Sequence, residues 1–199
     1  MITTEEMKQL EDNCGIPKIA LMENAGRGIY KILKERMDLK NKKILIICYH
    51  GNNGGDGFVA ARYLCEESDV TILFIGDEAR MKKEAMISYK RIIKSELIQF
   101  LTNAEDVDVD DFDIIIDAIL GTGVIGKLKE PIAAIIYNIN NSKAFKVSVD
   151  IPTGIDPDTG VVAEKVVNAD LIISLHDIKA GLKELKGKVV VADIGIPKE

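Results

Sequence analysis

Lys43-Ile44-Leu45-Ile46-Ile47-Cys48, then Gly51-Asn52-Asn53-Gly54-Gly55-Asp56-Gly57, then Phe58-Val59-Ala60-Ala61-Arg62-Tyr63-Leu64 is the stretch that decides the fold class. The apolar residues after Lys43 run without interruption. A strand with one wet face alternates apolar and polar residues. An unbroken run predicts a strand buried on both faces, as in a parallel sheet covered by helices. The Gly-rich segment reads as a loop, and Phe58 to Leu64 as the helix that follows it.

The same alternation extends in both directions. Downstream, Asp69 to Ile75 predicts a second strand and Met81 to Ile93 a charged amphipathic helix. Further strands are expected at Ile98–Leu101, Asp113–Ala118, Lys146–Asp150, Leu171–Leu175 and Lys188–Ala192. Pro131 to Ile139 reads as a helix, with proline near its start, where a missing N–H costs nothing. Upstream, Thr3-Thr4-Glu5-Glu6 carries a T-x-x-E capping box, a helix start signal. Gly15-Ile16-Pro17 ends that helix, and Leu21, Ala25, Ile29, Ile32 and Leu33 then recur at helical spacing. Strands alternating with helices predict a three-layer α/β/α domain with a mostly parallel sheet. No repeat or linker divides it, so residues 1–199 read as a single domain.

Composition narrows the function classes. At 47% hydrophobic and 29% charged, the chain is ordinary for a globular protein. The net charge of -6 repels a phosphate backbone and argues against nucleic acid as a partner. Cys14, Cys48 and Cys65 are odd in number and lack CxxC spacing, which argues against a disulfide framework or a zinc site. No run approaches the length of a membrane span. Met1 to Glu6 lacks the basic-then-apolar pattern of a signal peptide. A cytoplasmic location, away from membranes, is the expectation.

Three segments that follow apolar strands are rich in glycine or small polar residues. Ligands of open α/β sheets bind beyond the carboxyl ends of the strands, so the three segments are expected to share one site. In the first, Asn52, Asn53, Gly54, Gly55 and Asp56 would bring backbone N–H groups onto a phosphate at a helix N-terminus. The bland alternative is a tight turn, because Asn-Gly, Gly-Gly and Asp-Gly are turn dipeptides. The spacing fits neither G-x-G-x-x-G nor a Walker loop. The second segment is Asp117-Ala118-Ile119-Leu120-Gly121-Thr122-Gly123-Val124-Ile125-Gly126-Lys127. An Asp closing an apolar strand needs a partner, since a lone buried carboxylate is costly. A cation or a helix-cap role both answer that need. The glycines would admit a ligand, and Lys127 would face a phosphate. The third segment carries Asp150 and Thr153, then Asp156-Pro157-Asp158-Thr159-Gly160, a turn signal read as structural. His50 and Lys179 could each contact a ligand, but their default readings are a solvated loop histidine and a helix-end lysine. Neither histidine has metal-ligand spacing, and no G-x-S-x-G elbow supports acyl transfer.

Taken together, these motifs resemble the YjeF N-terminal domain family, the NAD(P)HX epimerases. The residues that carry the resemblance are Gly51 to Gly57 with Ala60-Ala61-Arg62, Asp117-Ala118 with Gly121-Thr122-Gly123, Asp150 to Asp156, and Ala192-Asp193-Ile194-Gly195-Ile196-Pro197. Leu21-Met22-Glu23-Asn24-Ala25-Gly26 is similar to the family's N-terminal helix motif. Tyr49-His50 departs from the pattern, which commonly has Gly-Pro there. The resemblance implies a Rossmann-like fold and interconversion of the R and S forms of hydrated NADH and NADPH at C6. It implies a dinucleotide site lined by Asn52, Asn53, Gly54, Gly55, Asp56, Gly121, Thr122, Gly123, Val124, Ile125, Gly126, Lys127 and Asp150. It also implies one potassium ion per subunit at Asn53, Asp117 and Thr153, all oxygen donors suited to a hard cation. Asp150 is the expected catalytic residue. Homodimers and a fused or separate ADP/ATP-dependent dehydratase are the partners the family allows.

Two other readings compete. A non-catalytic binding or scaffold domain can share this fold, but Asn53, Asp117, Asp150 and Thr153 together favour an enzyme. An ordinary Rossmann dehydrogenase or methyltransferase would use Asp77 as its ribose-binding acid. Its glycine spacing is absent here, and it leaves the second and third segments unexplained.

Overall fold

Ile44, Leu45, Ile46 and Ile47 are each completely buried, as the unbroken apolar run requires of a strand covered on both faces. Burying one such side chain contributes on the order of 1.5–3 kcal/mol. The computed structural model describes residues 1–122, 128 and 130–197. The strands are β1 (Lys43–Cys48), β2 (Asp69–Phe74), β3 (Ile98–Leu101), β4 (Ile114–Ala118), β5 (Phe145–Val149), β6 (Leu171–Leu175) and β7 (Val189–Ala192). They form one sheet in the order β3-β2-β1-β4-β5-β6-β7. Every pairing in it is parallel, one step beyond the mostly parallel sheet expected.

The helices are α1 (Thr4–Asn13), α2 (Lys18–Arg36), α3 (Asn52–Leu64), α4 (Lys83–Ile92) and α5 (Ile132–Asn141). Successive strand residues face opposite sides of the sheet, and β1 shows how that sorts the layers. Ile44, Ile46 and Cys48 pack with Ile29 and Leu33 of α2 and Phe58 and Ala61 of α3. Leu45 and Ile47 pack with Ile132, Ile135, Ile136 and Ile139 of α5 on the other face. Among the described residues, no helix is long and apolar enough to cross a membrane.

The capping box closes in full. Thr3 N donates to Glu6 Oε2 at 2.8 Å, and Glu6 N donates to Thr3 Oγ1 at 3.3 Å. Ahead of it, Ile2 forms a parallel bridge with Lys179. Thr4 donates from its N–H and hydroxyl to the Asp158 carboxylate, at 2.7 and 2.6 Å. The start of α1 is thereby pinned to the segments that follow β5 and β6.

One local expectation is corrected. The Gly-rich segment is helix from Asn52 onward, not a loop before a helix that starts at Phe58. None of Gly51, Gly54, Gly55 and Gly57 has positive φ, so left-handed backbone is not why glycine is there. Close packing is the reason at Gly54, Gly55 and Gly57. A Cβ on Gly54 would overlap the Tyr49 carbonyl oxygen. One on Gly55 would meet Met22 Sδ at 2.7 Å, and one on Gly57 would meet Ala118 Cβ at 2.7 Å and Cys48 Sγ at 2.8 Å. Glycines this dense weaken intrinsic helix propensity, and tertiary contact overrides that weakness.

Candidate active site

β1 and β4 are neighbours, yet the chain winds outward from β1 through β2 to β3 and then returns to β4. The crevice at such a reversal, beyond the carboxyl ends of the strands, is where open α/β sheets bind ligands. The first turn of α3, the end of β4 and the end of β5 meet there.

Asp117 lies in β4 and is 1% exposed. Its Oδ1 accepts from Thr153 Oγ1 at 2.6 Å and from the Ile119 N–H at 3.2 Å. Its Oδ2 accepts from Ser148 Oγ and from the Thr153 N–H, both at 2.9 Å. Burial raises its pKa, and these hydrogen bonds to the charged form oppose the rise. Asn53 is buried beside this group. Among the described residues, neither its Oδ1 nor its Nδ2 has a hydrogen-bond partner. A Cβ on Gly121 would lie 3.2 Å from Asn53 Cβ and 3.4 Å from its Oδ1, so glycine leaves the amide its room. One carboxylate, one orphaned amide oxygen and one hydroxyl form an all-oxygen donor set carrying a single negative charge. Among the described residues, no group of three or more His, Cys, Asp or Glu is placed to hold a metal ion. The donor set here matches a monovalent hard cation instead.

Asp150 stands immediately after β5 with φ 66°. This left-handed conformation is uncommon outside glycine and tolerated best by Asn and Asp. The residue is 8% exposed. Its Oδ1 accepts from the Leu175 N–H at 3.1 Å and lies 2.6 Å from Lys179 Nζ. Lys179 is 1% exposed and also donates to the Leu175 carbonyl at 2.7 Å. It occupies the N-cap position of the 3₁₀ stretch Ala180–Lys188, a helix end as expected, with its side chain buried rather than capping the helix. An ammonium this deep needs close anionic or carbonyl partners, and it has them. Two further carboxyls feel this pair. Burial pushes Asp56 of α3 well above the usual carboxylate range, and the charges of Asp150 and Glu11 push it further. Glu11 of α1 is raised by burial and then by Asp150.

The other expected residues take varied places. Gly51 caps α3 and is followed by exposed Asn52. Gly121 and Thr122 are half-buried at the crevice. Gly123, Val124, Ile125, Gly126 and Lys127 lie outside the described residues. Asp156 Oδ1 accepts from the Thr159 N–H and hydroxyl, both at 2.8 Å, so the turn there is structural. His50 Nδ1 accepts from the Asp77 N–H at 3.2 Å. Asp77 itself caps a short 3₁₀ turn through the Ala79 N–H. In the N-terminal helix motif, Glu23 pairs with Arg62 and accepts from Tyr63 Oη, joining α2 to α3. Asn24 donates to the Ile194 carbonyl at 2.8 Å. Sequence reasoning missed Glu11, and it singled out Lys179 without foreseeing its burial against Asp150. The signal available for Lys179 was its position between Ile178 and Ala180, just past a buried strand.

A cleft of about 640 Å³ lined by Arg36, Lys42, Asp113 and Lys188 lies at the amino-terminal ends of the strands. It is on the edge opposite the buried carboxylates and takes no part in this site.

Comparisons with known proteins bear on the same residues. A family model described as YjeF-related protein N-terminus matches residues 18–181. The bifunctional NAD(P)H-hydrate repair enzyme Nnr of Methanothermobacter thermautotrophicus is 40% identical over 195 residues, which cover 92% of this chain and 37% of that protein. The Archaeoglobus fulgidus protein of the same name is 41% identical, covering 99% of this chain and 42% of that one. The chain thus spans about two-fifths of the length of these relatives. The NAD(P)H-hydrate epimerase of Nitrosopumilus maritimus is 35% identical over 207 residues, covering 100% of this chain and 96% of that protein. The crystal structure of yeast ynu0, YNL200c, superposes with a TM-score of 0.81 at 22% identity, covering 96% of this chain and 86% of the yeast chain. At that identity it supports the fold alone.

Proposed function

The chain belongs to the family of YjeF-related protein N-termini, and from that premise we propose that it is an epimerase acting at C6 of hydrated NADH and NADPH. The observation that carries the proposal is Asp150. It is a buried, left-handed carboxylate at the switch point of the sheet, held on Oδ1 by Leu175 and Lys179. Among the described residues no hydrogen bond engages its Oδ2. A carboxylate anchored on one oxygen presents the other to a ligand in a set direction.

The chemistry follows from the substrate. Hydration places a hydroxyl on C6, beside N1 of the ring, and makes that carbon a hemiaminal. The nitrogen lone pair expels the hydroxyl, which departs as water once protonated. The C6–O bond breaks and an iminium cation remains. Water adding to the other face, with loss of a proton, gives the other epimer. No net oxidation occurs. Asp150 stabilises the developing cation electrostatically and relays the proton between hydroxyl and water. The first turn of α3, from Asn52 to Asp56, and the Gly121-Thr122 segment bind the dinucleotide. In this reading Gly123 to Lys127 continue that contact. The helix N-terminus favours phosphate there.

Asn53, Asp117 and Thr153 would hold a potassium ion. The orphaned Asn53 Oδ1 and the buried Asp117 charge support the fit. Such an ion supplies positive charge that ties the ends of β4 and β5 to α3. The ion is structural in this reading, and Asp150 remains the reacting group. A cytoplasmic location, a homodimer and a fused or separate dehydratase belong to the same reading. The bifunctional repair enzymes among the relatives support the last of these.

The test is an epimerisation assay. Separated epimers of hydrated NADH are incubated with the protein and resolved by chromatography. The expected result is exchange well above the spontaneous rate in the same buffer. Exchange at the spontaneous rate would return the chain to a non-catalytic binding domain.

A further inference from the structure

Among the described buried charges near the crevice, only Lys179 is a lysine or arginine, and the proposed chemistry assigns it nothing. We infer that Lys179 is a positioning residue whose ammonium holds Asp150 in the orientation from which it acts. The inference rests on the epimerase reading and deepens it.

The geometry separates this role from direct contact with substrate. Lys179 Nζ has three oxygen neighbours, Asp150 Oδ1 at 2.6 Å, the Leu175 carbonyl at 2.7 Å and the Asp177 carbonyl at 3.5 Å. An ammonium has three N–H bonds, so these acceptors saturate it. At 1% exposure it offers nothing to a ligand. Its influence therefore passes through Asp150. The Leu175 carbonyl and N–H close the arrangement, because the N–H donates to the same Asp150 oxygen. Two atoms of one residue in β6 thus align the lysine and the carboxylate together.

The charges around the pair explain why a cation is needed. Asp56 of α3 and Glu11 of α1 both interact electrostatically with Asp150 and Lys179. Three carboxyls surround one ammonium. Without it, three carboxyls would face one another with no counter-charge among them. A staple for the fold would not require this chemistry. Replacing a buried ion pair by well-packed apolar residues is often neutral or stabilising.

The test compares Lys179→Met, Lys179→Arg, Asp150→Asn and the double variant Lys179→Met/Asp150→Asn in the epimerisation assay. Folding is checked by circular dichroism and melting. Lys179→Met keeps length and removes charge. Its kcat is expected to fall about 10- to 100-fold, as when other orienting partners of working groups are removed, with KM little changed. Lys179→Arg should recover part of the loss. The double variant should turn over no more slowly than Asp150→Asn alone, because Lys179 has no route to the reaction except Asp150. It removes both partners of the ion pair together, so it serves if Lys179→Met does not fold. Parental kcat in Lys179→Met, or a double variant slower than Asp150→Asn, overturns this role and leaves the epimerase reading standing. A parent protein no faster than the spontaneous reaction overturns the epimerase reading and this role with it.

Discussion

Thr153 grips Asp117 from two sides, its hydroxyl 2.6 Å from Oδ1 and its N–H 2.9 Å from Oδ2. Ser148 and the Ile119 N–H complete a ring of four neutral donors around one buried anion. No Lys or Arg among the described residues pairs with it. A bound monovalent cation would supply the missing charge. The parent protein is therefore expected to melt at a higher temperature in potassium than in a large organic cation at equal ionic strength. A ligand at about 100 times its Kd adds about 2.7 kcal/mol to stability. Asp117→Asn should abolish the difference between the two buffers. A variant that still responds to potassium as the parent does would remove Asp117 from the ion site.

Asp56 gives stability a pH dependence with a definite sign. Its carboxyl is raised in the folded state, first by burial and then by Asp150 and Glu11. In the unfolded chain an Asp releases its proton near pH 3.9, taken as an approximate reference value. Above that pH the folded state binds more protons at this site than the unfolded state, so stability falls as pH rises. The contribution is fully present below the unfolded value and is lost as pH climbs through the raised folded value. Asp56→Asn keeps the shape without the titration. Measured by denaturant titration from acid to neutral pH, the parent should lose stability relative to the variant. Parallel curves would show that Asp56 does not titrate differently on folding.

Glycine spacing at the start of α3 is a packing requirement, and two substitutions separate its parts. A Cβ on Gly51 would have no atom within 4 Å, and the residue's φ is an ordinary -82°. Gly51→Ala should cost under about 1 kcal/mol, the loss of a modest N-cap preference. Gly54→Ala would drive a methyl group into the Tyr49 carbonyl. It should cost about 1–3 kcal/mol or more, as overpacking does. Thermal melts of the two variants give the comparison. Equal melting temperatures would mean that the helix shifts freely from β1.

Asp150→Asn preserves shape and removes charge. One general acid–base group typically contributes about 10²–10⁴-fold in rate. The loss should appear in turnover, because the interaction strengthens only in the transition state. Dinucleotide binding, followed by calorimetry with NADP, should be close to parental. Turnover near the parental value would leave Asp150 as a binding or structural carboxylate.

Much of the fold is legible in short stretches because its causes are local. The run Ile44 to Cys48 lacks polar residues since both faces of β1 are covered. Thr3 and Glu6 announce α1 because a capping box involves only neighbours. Asp117 and Asp150 stand out for the same reason, as charges closing apolar strands. Asn52 to Gly57 misleads as a loop because glycine's weak helix propensity is local, while the contacts with Tyr49, Met22 and Ala118 that favour helix are not.

Tertiary structure alone decided what surrounds the two aspartates. Lys179 is far from Asp150 in sequence, and its apolar neighbours hint at burial without naming a partner. It is buried because β5 and β6 are adjacent, which places Leu175 and the segment after it against the turn at Asp150, and because Ile2 bridges to Lys179 from outside. Glu11 reaches the same charges only because Thr4 is tied to Asp158. Asn53 gives no sign in sequence that its amide is orphaned, since that depends on how closely Gly121 approaches it. Sequence determines which groups stand at strand ends, through hydrophobic burial along one element. Which charges meet is set by strand order, and strand order is a property of the whole sheet.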